Sequence, residues 1–355
     1  MGNKVYTDQL PGRTLVVDGE ELLFFSGTSY LGIPVNEQFR HCVLEGMARY
    51  GTNYSSSRNS NLQLRVFEEA EDYLAHYTGA EAAFTMSSGY LACQALVQTL
   101  QGSGHFIYAP NTHPALWRST ADEVTGNYDA WVGPMLQQVQ TSGEEHIILV
   151  CNSLDPLKAR KHGFSWLNSL PDDKQITLIV DDSHGFGVTG EDGAGIFGQL
   201  AARLQPNVRL VVASSMGKAL GIPAGVVLGE KELVDKLRYS HYFGGASPAI
   251  PAYLYAFLQC EPVFKEARQK LFSNIAFFLQ HLERPEQFSY FDGYPVFGVH
   301  EHSLAAYLQE HGVIISSFRY PTPADDPITR VVLSSAHTQE DIQRLTGLIN
   351  QFGKV

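Results

Sequence analysis

The sequence predicts an α/β fold built on a parallel sheet, and three short apolar segments carry this prediction. The segments are residues 146–152, 177–180 and 210–213. Each is rich in branched aliphatic residues and stops at small or polar residues, which is typical of a buried strand that leads into a loop. About thirty residues lie between the last two segments, which is enough for a crossover helix. In such sheets ligands bind beyond the carboxyl ends of the strands.

Five polar side chains follow these strands and together suggest one cofactor. They are Asn152, Asp181, His184, Ser215 and Lys218. A lysine at the end of a buried strand can form a Schiff base, because desolvation lowers the pKa of its ammonium group. An aspartate in the same pocket can keep a pyridine nitrogen protonated, and pyridoxal 5'-phosphate (PLP) needs both groups.

We therefore predict that Lys218 and Asp181 bind PLP at this edge of the sheet. Asn152 and His184 are suited to bond the phenolic oxygen of the cofactor, and Ser215 is suited to bond its phosphate. The alternative is an aspartate-capped turn beside a solvated lysine. Since that alternative explains each residue separately but not their joint pattern, the cofactor site is the favoured interpretation.

Two longer segments carry a family resemblance. Residues 180–195 resemble a signature of the α-oxoamine synthases, a group of fold type I PLP-dependent enzymes in the class II aminotransferase family, and residues 215–221 resemble their cofactor-lysine motif. The resemblance runs from about Ser26 to the last helix. It implies a large domain with a mostly parallel seven-stranded sheet flanked by helices, and a smaller C-terminal α/β domain. We place an N-terminal segment at 1–45, the large domain at 46–240 and the small domain at 241–355.

Composition excludes several other classes of protein. The chain has 355 residues and is 44% hydrophobic, which suits two domains with sizeable cores. Its net charge of −12 argues against a nucleic-acid-binding protein. It contains no apolar run of about 18 residues, so a membrane-spanning helix is not expected. Its four cysteines are far apart and lack metal-ligand spacing, so we expect free thiols, a cytoplasmic location and no metal.

Local patterns predict the remaining elements. A hairpin turns at Asp18 and Gly19. Helices are expected over residues 36–50, 62–78 and 252–282, with a strand, turn and helix over 82–92 and a helix after Gly229. From residue 295 the pattern predicts strands at 296–299, 313–317 and 328–333, a helix at 303–311, and a last helix from Gln339.

The resemblance assigns cofactor contacts outside the three strands. It implies that the turn of Ser88, Gly89 and Tyr90 holds the phosphate, and the N-terminus of a helix is a ready anion site. The alternative for this turn is an ordinary strand-to-helix connection. The resemblance also implies that His113 stacks on the pyridine ring.

Substrate contacts are assigned in the same way. Arg330 lies in a segment that resembles the one whose arginine grips the amino-acid carboxylate, a task that suits a bidentate fork. Arg319 is a second candidate, and the alternative for both is a surface ion pair. Thr28 stands where many relatives carry an asparagine that touches the substrate. Arg58 ends a family segment in which serines here replace glycines.

The predicted function is an acyltransferase that condenses an amino acid with acyl-CoA, or another acyl thioester, to an α-aminoketone. The predicted catalytic residues are Lys218, His113, Asp181 and His184. An aminotransferase acting on an amino acid and a keto acid is the first alternative, and Asn152 favours it. A homologue that binds cofactor without turnover is the second. The resemblance further implies a homodimer with a shared active site, to which residues 243–247 contribute, with no nucleic acid and no membrane as partners.

Overall fold

The computed structural model describes residues 6–319, 325 and 327–353. The strands are β1 Thr14–Val17, β2 Glu20–Phe25, β3 Ala82–Met86, β4 His105–Tyr108, β5 His146–Asn152, β6 Leu154–Asp155, β7 Arg160–Lys161, β8 Gln175–Asp181, β9 Val208–Ser215, β10 Gly225–Gly229, β11 Phe288–Ser289, β12 Val296–Val299, β13 Val313–Arg319 and β14 Pro327–Val332. The α-helices are α1 Glu37–Tyr50, α2 Arg65–Thr78, α3 Gly89–Thr99, α4 Tyr128–Thr141, α5 Phe197–Ala201, α6 Lys231–Arg238, α7 His241–Gly245, α8 Pro251–Gln259, α9 Glu261–His281, α10 Leu304–Glu310 and α11 Gln339–Gln351.

Contacts within the chain divide it into two compact units. The first unit comprises residues 1–37, 155–160 and 262–355, and the second comprises 38–154 and 161–261. These divisions differ from the expected boundaries after residues 45 and 240. The difference arises because α1 and α8 both pack inside the second unit, where Gly46 lies against the backbone of Ala252. Helix α8 also packs on α2.

The second unit is built on a sheet with the strand order β3-β10-β9-β8-β5-β4. Strands β4, β5, β8 and β9 are parallel to one another, and β10 is antiparallel to both β9 and β3. The predicted mostly parallel sheet is thus confirmed. Within the described residues it has six strands rather than seven, because the chain after β4 forms short 3-10 turns at Pro114–Leu116 and Thr120–Asp122 instead of a further edge strand.

The core of the second unit explains why its strands appear as continuous apolar runs. Residues 147–151 of β5 are fully buried, as expected for a parallel strand covered on both faces. Helix α3 packs against β9 and β10, and its Leu96 joins Val150, Ile179 and Val211 in one hydrophobic cluster.

Two helical predictions need correction. The helix expected over 252–282 is two helices, α8 and α9, that are interrupted at Cys260. Pro262 explains the break, since a proline has no N–H to donate to the preceding turn. Helix α4 was not predicted, because its sequence is polar and carries Pro134 inside the helix. Asn127 caps it by accepting a hydrogen bond from the Ala130 N–H.

The first unit holds a sheet with the order β1-β2-β13-β14-β12-β11. The predicted hairpin is confirmed: β1 and β2 pair around Asp18 and Gly19, whose φ angles of 51° and 84° suit a tight hairpin turn. Strand β2 then pairs in parallel with β13. The N-terminal hairpin and the C-terminal strands therefore form one sheet, which local sequence patterns did not indicate.

His337 fastens the segment after β14 to this sheet. Its ring stacks on Phe25 with centroids 4.0 Å apart. Nε2 lies 2.9 Å from the Phe24 carbonyl oxygen, and Nδ1 accepts the Ser334 N–H at 3.0 Å. The neutral ring satisfies both contacts, and burial lowers the pKa of His337 to about 4. His337 thus acts as an uncharged structural link in the described structure.

None of the helices within the described ranges is long and apolar enough to cross a membrane.

Two helical glycines predict opposite responses to alanine. Alanine in a helix interior is favoured over glycine by roughly 0.5–1 kcal/mol. A Cβ on Gly46 would lie 2.6 Å from the Ala252 carbonyl oxygen, whereas a Cβ on Gly347 would meet no atom within 4 Å. Since overpacking costs about 1–3 kcal/mol, Gly46→Ala should lower the unfolding free energy while Gly347→Ala should raise it slightly. Urea denaturation measures both, and a stabilised Gly46→Ala protein would contradict the packing described for α1 and α8.

Candidate active site

The parallel register brings two predicted site residues to the same edge of the sheet. Asn152 at the end of β5 pairs with Asp181 at the end of β8, and Asp181 pairs with Ala213 of β9. Strand β9 continues to Ser215, and Lys218 follows three residues later. Because neighbouring strands lie about 4.8 Å apart, these side chains share one small region of the second unit.

Lys218 and Asp181 interact electrostatically in this region. Burial lowers the pKa of Lys218 below its ordinary value, and Asp181 is the largest opposing influence. The Asp181 carboxylate is oriented by its own loop, since Oδ1 accepts the Ser183 N–H at 2.8 Å. A lysine with a lowered pKa beside a positioned carboxylate is the pair that the sequence predicted at this edge.

His113 belongs to the same electrostatic group. Burial lowers the pKa of its imidazole, Asp181 opposes this shift, and Lys218 adds to it. Nδ1 accepts the Ala115 N–H at 3.1 Å. In the neutral ring the proton therefore resides on Nε2, which leaves an N–H donor on the other side of the ring.

The turn before α3 forms a cradle against the end of β9. A Cβ on Gly89 would lie 2.6 Å from the Ser215 Cβ, and a Cβ on Gly225 would lie 2.3 Å from the Ser88 carbonyl oxygen. Only glycine permits these approaches. Ser88 caps the helix by accepting the Leu91 N–H at 3.2 Å. The first N–H groups of α3 have no partner inside the helix, so the cradle offers an anion site.

Ser215 connects this cradle to the Asp181 loop. Its N–H donates to Ser183 Oγ at 2.9 Å, and its Oγ accepts the Gly217 N–H at 3.2 Å. Among the described residues the Ser215 hydroxyl donates no hydrogen bond, so its proton can serve an anion held at the turn. His184 lies in the same loop, between Ser183 and Gly185.

Asn152 is held by the backbone around it and still offers an unused group. Its Nδ2 donates to the Asn111 carbonyl at 2.8 Å, and its main-chain oxygen lies 3.0 Å from His162 Nδ1. Its Oδ1 is buried and has no hydrogen-bond partner among the described residues. Because buried polar atoms in native structures normally have partners, this side chain is available to a ligand.

Asp182 faces the glycine-rich loop rather than the pocket. Its Oδ2 accepts the Ile196 N–H at 2.8 Å. A Cβ on Gly185 or Gly195 would collide with its carboxyl oxygens. Burial raises the pKa of Asp182 to about 7, although Ser153 and the Ile196 N–H oppose the shift.

The three substrate candidates Thr28, Arg319 and Arg330 belong to the first unit. Arg330 is 5% exposed, and its Nη1 donates to the Pro156 carbonyl at 2.8 Å. Its Nε is buried without a hydrogen-bond partner in the described part of the chain. Arg319 is exposed and bonds the Asp325 carbonyl. Thr28 is partly exposed in the loop after β2.

Arg58 was predicted to touch the substrate. Its guanidinium forms two hydrogen bonds to Glu71, at 3.0 and 3.2 Å. The side chain of Arg58 is 6% exposed. Its fork is therefore occupied by a buried carboxylate, which the sequence could not indicate because Glu71 lies in a helix with ordinary amphipathic periodicity.

Cys93 was missed by the sequence argument. It lies in the second turn of α3 and is 2% exposed. Burial raises the pKa of its thiol well above the ordinary value, and the next largest influences are Asp181 and Lys218. Cys93 therefore lies close to both residues, and nothing in its sequence context distinguished it from a core residue. Within the described ranges, no cluster of three or more His, Cys, Asp or Glu side chains could hold a metal ion.

Comparison with known proteins found relatives that span nearly the whole chain. The 8-amino-7-oxononanoate synthase of Azoarcus sp. is 28% identical over 354 residues, covering 95% of this chain and 89% of that protein. The putative 8-amino-7-oxononanoate synthase of Rippkaea orientalis is 27% identical, with 96% and 92% covered. The family model for class I and II aminotransferases matches residues 165–349, just over half of the chain.

The chain belongs to the class I and II aminotransferase family, in its α-oxoamine synthase group.

Solved structures share the family fold. Serine palmitoyltransferase from S. paucimobilis with a bound PLP–myriocin aldimine superposes with a TM-score of 0.84 at 17% identity, covering 99% of this chain and 92% of that chain. The 8-amino-7-oxononanoate synthase of Francisella tularensis superposes with a TM-score of 0.71 at 21% identity, with 94% and 98% covered. These neighbours confirm the fold type I architecture.

Gly244 lies against the segment 57–59. Glycines stand at both 244 and 245. A Cβ on Gly244 would lie 2.6 Å from Asn59 Nδ2, and the Gly244 carbonyl accepts the Ser57 hydroxyl at 2.8 Å. The segment 57–59 thus occupies the space that a larger side chain at 244 would need.

Asp182 predicts how stability depends on pH. Its pKa is about 7 in the folded protein and 3.8 ordinarily, so between these values the native state holds a proton that the unfolded state has lost. The unfolding free energy should therefore fall as pH rises from about 4 to about 7, by at most about 4 kcal/mol from this residue. Asp182→Asn mimics the protonated acid and should remove this part of the slope. Urea denaturation of the cofactor-free proteins across this range tests it, and parallel pH profiles would contradict it.

Proposed function

We propose that this protein is a PLP-dependent acyltransferase that condenses an amino acid with an acyl thioester to give an α-aminoketone. A bond forms between the α-carbon of the amino acid and the thioester carbonyl carbon, and the thiol leaves. The observation that carries the proposal is the placement of Lys218, with its lowered pKa, beside Asp181 at the carboxyl edge of a parallel sheet. The relatives named 8-amino-7-oxononanoate synthase support the same reaction class.

The second unit fits PLP at both ends of that molecule. The glycine cradle before α3, with Ser215 beside it, suits the phosphate, since a Cβ at either glycine would fill the space. Asn152, whose buried Oδ1 lacks a partner among the described residues, suits a polar group on the ring. Lys218 would hold the aldehyde carbon, and Asp181 the ring nitrogen. When bound, PLP supplies an electron sink for the bonds of the amino acid's α-carbon.

The protein's own residues supply proton transfer and orientation. Lys218 is the group proposed to take and return the proton at the α-carbon, because burial lowers the pKa of its ammonium group and so favours the neutral amine. Asp181 would stabilise positive charge on the ring nitrogen of bound PLP. His113 offers its Nε2–H and the face of its imidazole. We keep His184 as a proposed contact for the phenolic oxygen.

Arg330 is the proposed contact for the amino-acid carboxylate. Its guanidinium is nearly completely buried and uses Nη1 on the Pro156 carbonyl. Its unpaired Nε leaves part of the fork free. Arg319 and Thr28 remain weaker proposals, because Arg319 is exposed and Thr28 shows no side-chain hydrogen bond in the described structure.

The aminotransferase alternative is not favoured. Asn152 was its main support, but an asparagine at this position serves either reaction, and the relatives named above are synthases. The non-catalytic alternative would require neither the lowered pKa of Lys218 nor the glycine cradle, and the chain retains both.

A homodimer in the cytoplasm completes the proposal. Several large apolar side chains of the second unit are exposed, including Tyr90 at 57%, Leu62 at 72% and Tyr239 at 90%. Tyr90 is part of the proposed phosphate turn, and Tyr239 lies four residues before the segment 243–247, which the resemblance assigns to the neighbouring active site. The four cysteines are free thiols, which suits a reducing compartment.

Thiol release from an acyl-CoA tests the proposed reaction. The PLP-loaded protein should release coenzyme A only when an accepted amino acid is present. Lys218→Ala should lower the turnover by at least about 10²-fold, since a positioned general base contributes that much or more. Lys231→Ala removes an exposed lysine that pairs with Asp235 and should have no effect. Keto-acid formation without thiol release would replace the proposal by the aminotransferase, and no turnover with any amino acid would reject both.

Arg330→Lys tests the carboxylate contact. Lysine keeps the positive charge but loses the planar fork, and a hydrogen bond to a charged group contributes about 1.5–3 kcal/mol. The KM for the amino acid should rise about tenfold or more while the KM for the thioester changes little. Arg319→Lys is the matched control on the neighbouring strand. A larger effect at Arg319, or an effect at neither position, would reject the assignment.

A further inference from the structure

Glu71 is the most heavily bonded buried carboxylate of the second unit in the described structure. It lies on α2 and is 1% exposed. Arg58 donates to it from Nη1 and Nη2 at 3.0 and 3.2 Å, and Arg238 donates from Nη2 at 3.0 Å. Thr85 donates its N–H at 2.9 Å and its hydroxyl at 2.7 Å. Five donors thus converge on one side chain that the proposed reaction does not use.

This carboxylate completes the free edge of strand β3. Strand β3 is the first strand of its sheet and is hydrogen-bonded to β10 alone in the described structure. On the other side of β3, the Thr85 N–H donates to the Glu71 carboxylate, and the Ala83 carbonyl accepts a hydrogen bond from Arg238 Nη2 at 3.4 Å. The two side chains stand where the next strand of a sheet would be, and so satisfy backbone groups that an edge strand leaves open. They fix the position of β3, which leads directly into residues 87–90.

Two other segments are tied to the same carboxylate. Arg58 lies over the Phe67 ring at 4.3 Å and over the Phe243 ring at 4.9 Å. The neighbouring Ser57 hydroxyl donates to the Gly244 carbonyl at 2.8 Å. Arg238 ends α6 and shortly precedes the segment 241–247, which begins with α7. The position of 241–247 therefore depends on both arginines that bind Glu71.

Stability alone gives a weak reason for this arrangement. Replacing a buried ion pair by apolar residues of similar volume is often neutral or stabilising, because desolvation offsets the attraction between the charges. An ion cluster does fix the relative positions of the segments that meet in it, since each donor must lie on a particular side of the carboxylate. The three segments that meet at Glu71 are the edge strand before the phosphate turn, residues 57–58, and the chain after α6.

We propose that Glu71, Arg58 and Arg238 form a positioning cluster. This cluster fixes the cofactor-phosphate turn at 87–90 relative to the segment 241–247. The inference rests on the proposed function, because it assumes that PLP binds at this turn. None of the three residues touches the cofactor in this proposal. Their effect passes through Thr85 to the turn, and through Phe243 and Gly244 to the segment 241–247.

A comparison of two forms of the cofactor tests the cluster. Dissociation constants are measured by visible absorbance for PLP and for pyridoxal, which lacks the phosphate. In Glu71→Gln the dissociation constant for PLP should rise about tenfold or more, as expected when charge-assisted bonds are lost. That for pyridoxal should change less than about twofold, because the ring contacts remain. Thr85→Val removes one donor and keeps the side-chain shape. It should also raise the ratio of the dissociation constant for PLP to that for pyridoxal.

Controls separate positioning from general destabilisation. Glu69 lies on the same helix and is exposed, so Glu69→Gln should leave both dissociation constants unchanged. If Glu71→Gln does not fold, the ratio measured for Thr85→Val decides. If the variants bind PLP and pyridoxal more weakly by the same factor, the cluster only stabilises the fold. If the dissociation constants are unchanged in both Glu71→Gln and Thr85→Val, the proposal is overturned. If the unaltered protein binds PLP no better than pyridoxal, the proposed phosphate site itself is wrong, which is a different result from a failure of the variants.

Discussion

The parallel register of β5, β8 and β9 is the constraint on which the candidate site depends. It sets Asn152 beside Asp181 and Asp181 beside Ala213. A slip of one residue in β8 would turn the Asp181 side chain to the opposite face of the sheet. The strands are buried on both faces, so the packing of every apolar residue along them opposes such a slip. The tightly packed core therefore also holds the charged groups at the ends of these strands in fixed positions.

Two neighbouring aspartates at this edge, Asp181 and Asp182, have different environments. Asp182 is enclosed by the glycine-rich loop and bonds the Ile196 N–H, so burial raises its pKa and it serves the fold. Asp181 is partly exposed, bonds the Ser183 N–H, and interacts with Lys218 and His113. Asp182 directly follows β8, and its N–H still donates to the Ala213 carbonyl of β9 at 2.9 Å. Because side chains alternate between faces along extended backbone, the Asp182 carboxylate is enclosed by the loop while the Asp181 carboxylate faces the other way.

Close backbone approaches shape the turn that we propose to bind the phosphate. Gly89 and Gly225 allow the turn before α3 to touch the ends of β9 and β10. On the other side of that turn, strand β3 has no further strand to hold it in the described structure, and side chains from α2 and α6 take that place. The turn at 87–90, where we propose that the phosphate binds, thus has a glycine contact on one side and a charged cluster on the other.

The sequence by itself determined the type of fold and most of the groups at the sheet edge. Buried strands that end in polar residues predicted the parallel sheet, and the order Asp181, His184, Ser215 and Lys218 predicted the chemistry, because these features are local and periodic. It did not determine the partners of side chains that meet from distant segments. The Arg58 guanidinium binds Glu71, Cys93 of α3 interacts electrostatically with Asp181 and Lys218, and the N-terminal hairpin joins the C-terminal strands in one sheet. Each of these contacts links residues separated along the chain by intervening elements, so only tertiary packing decided them.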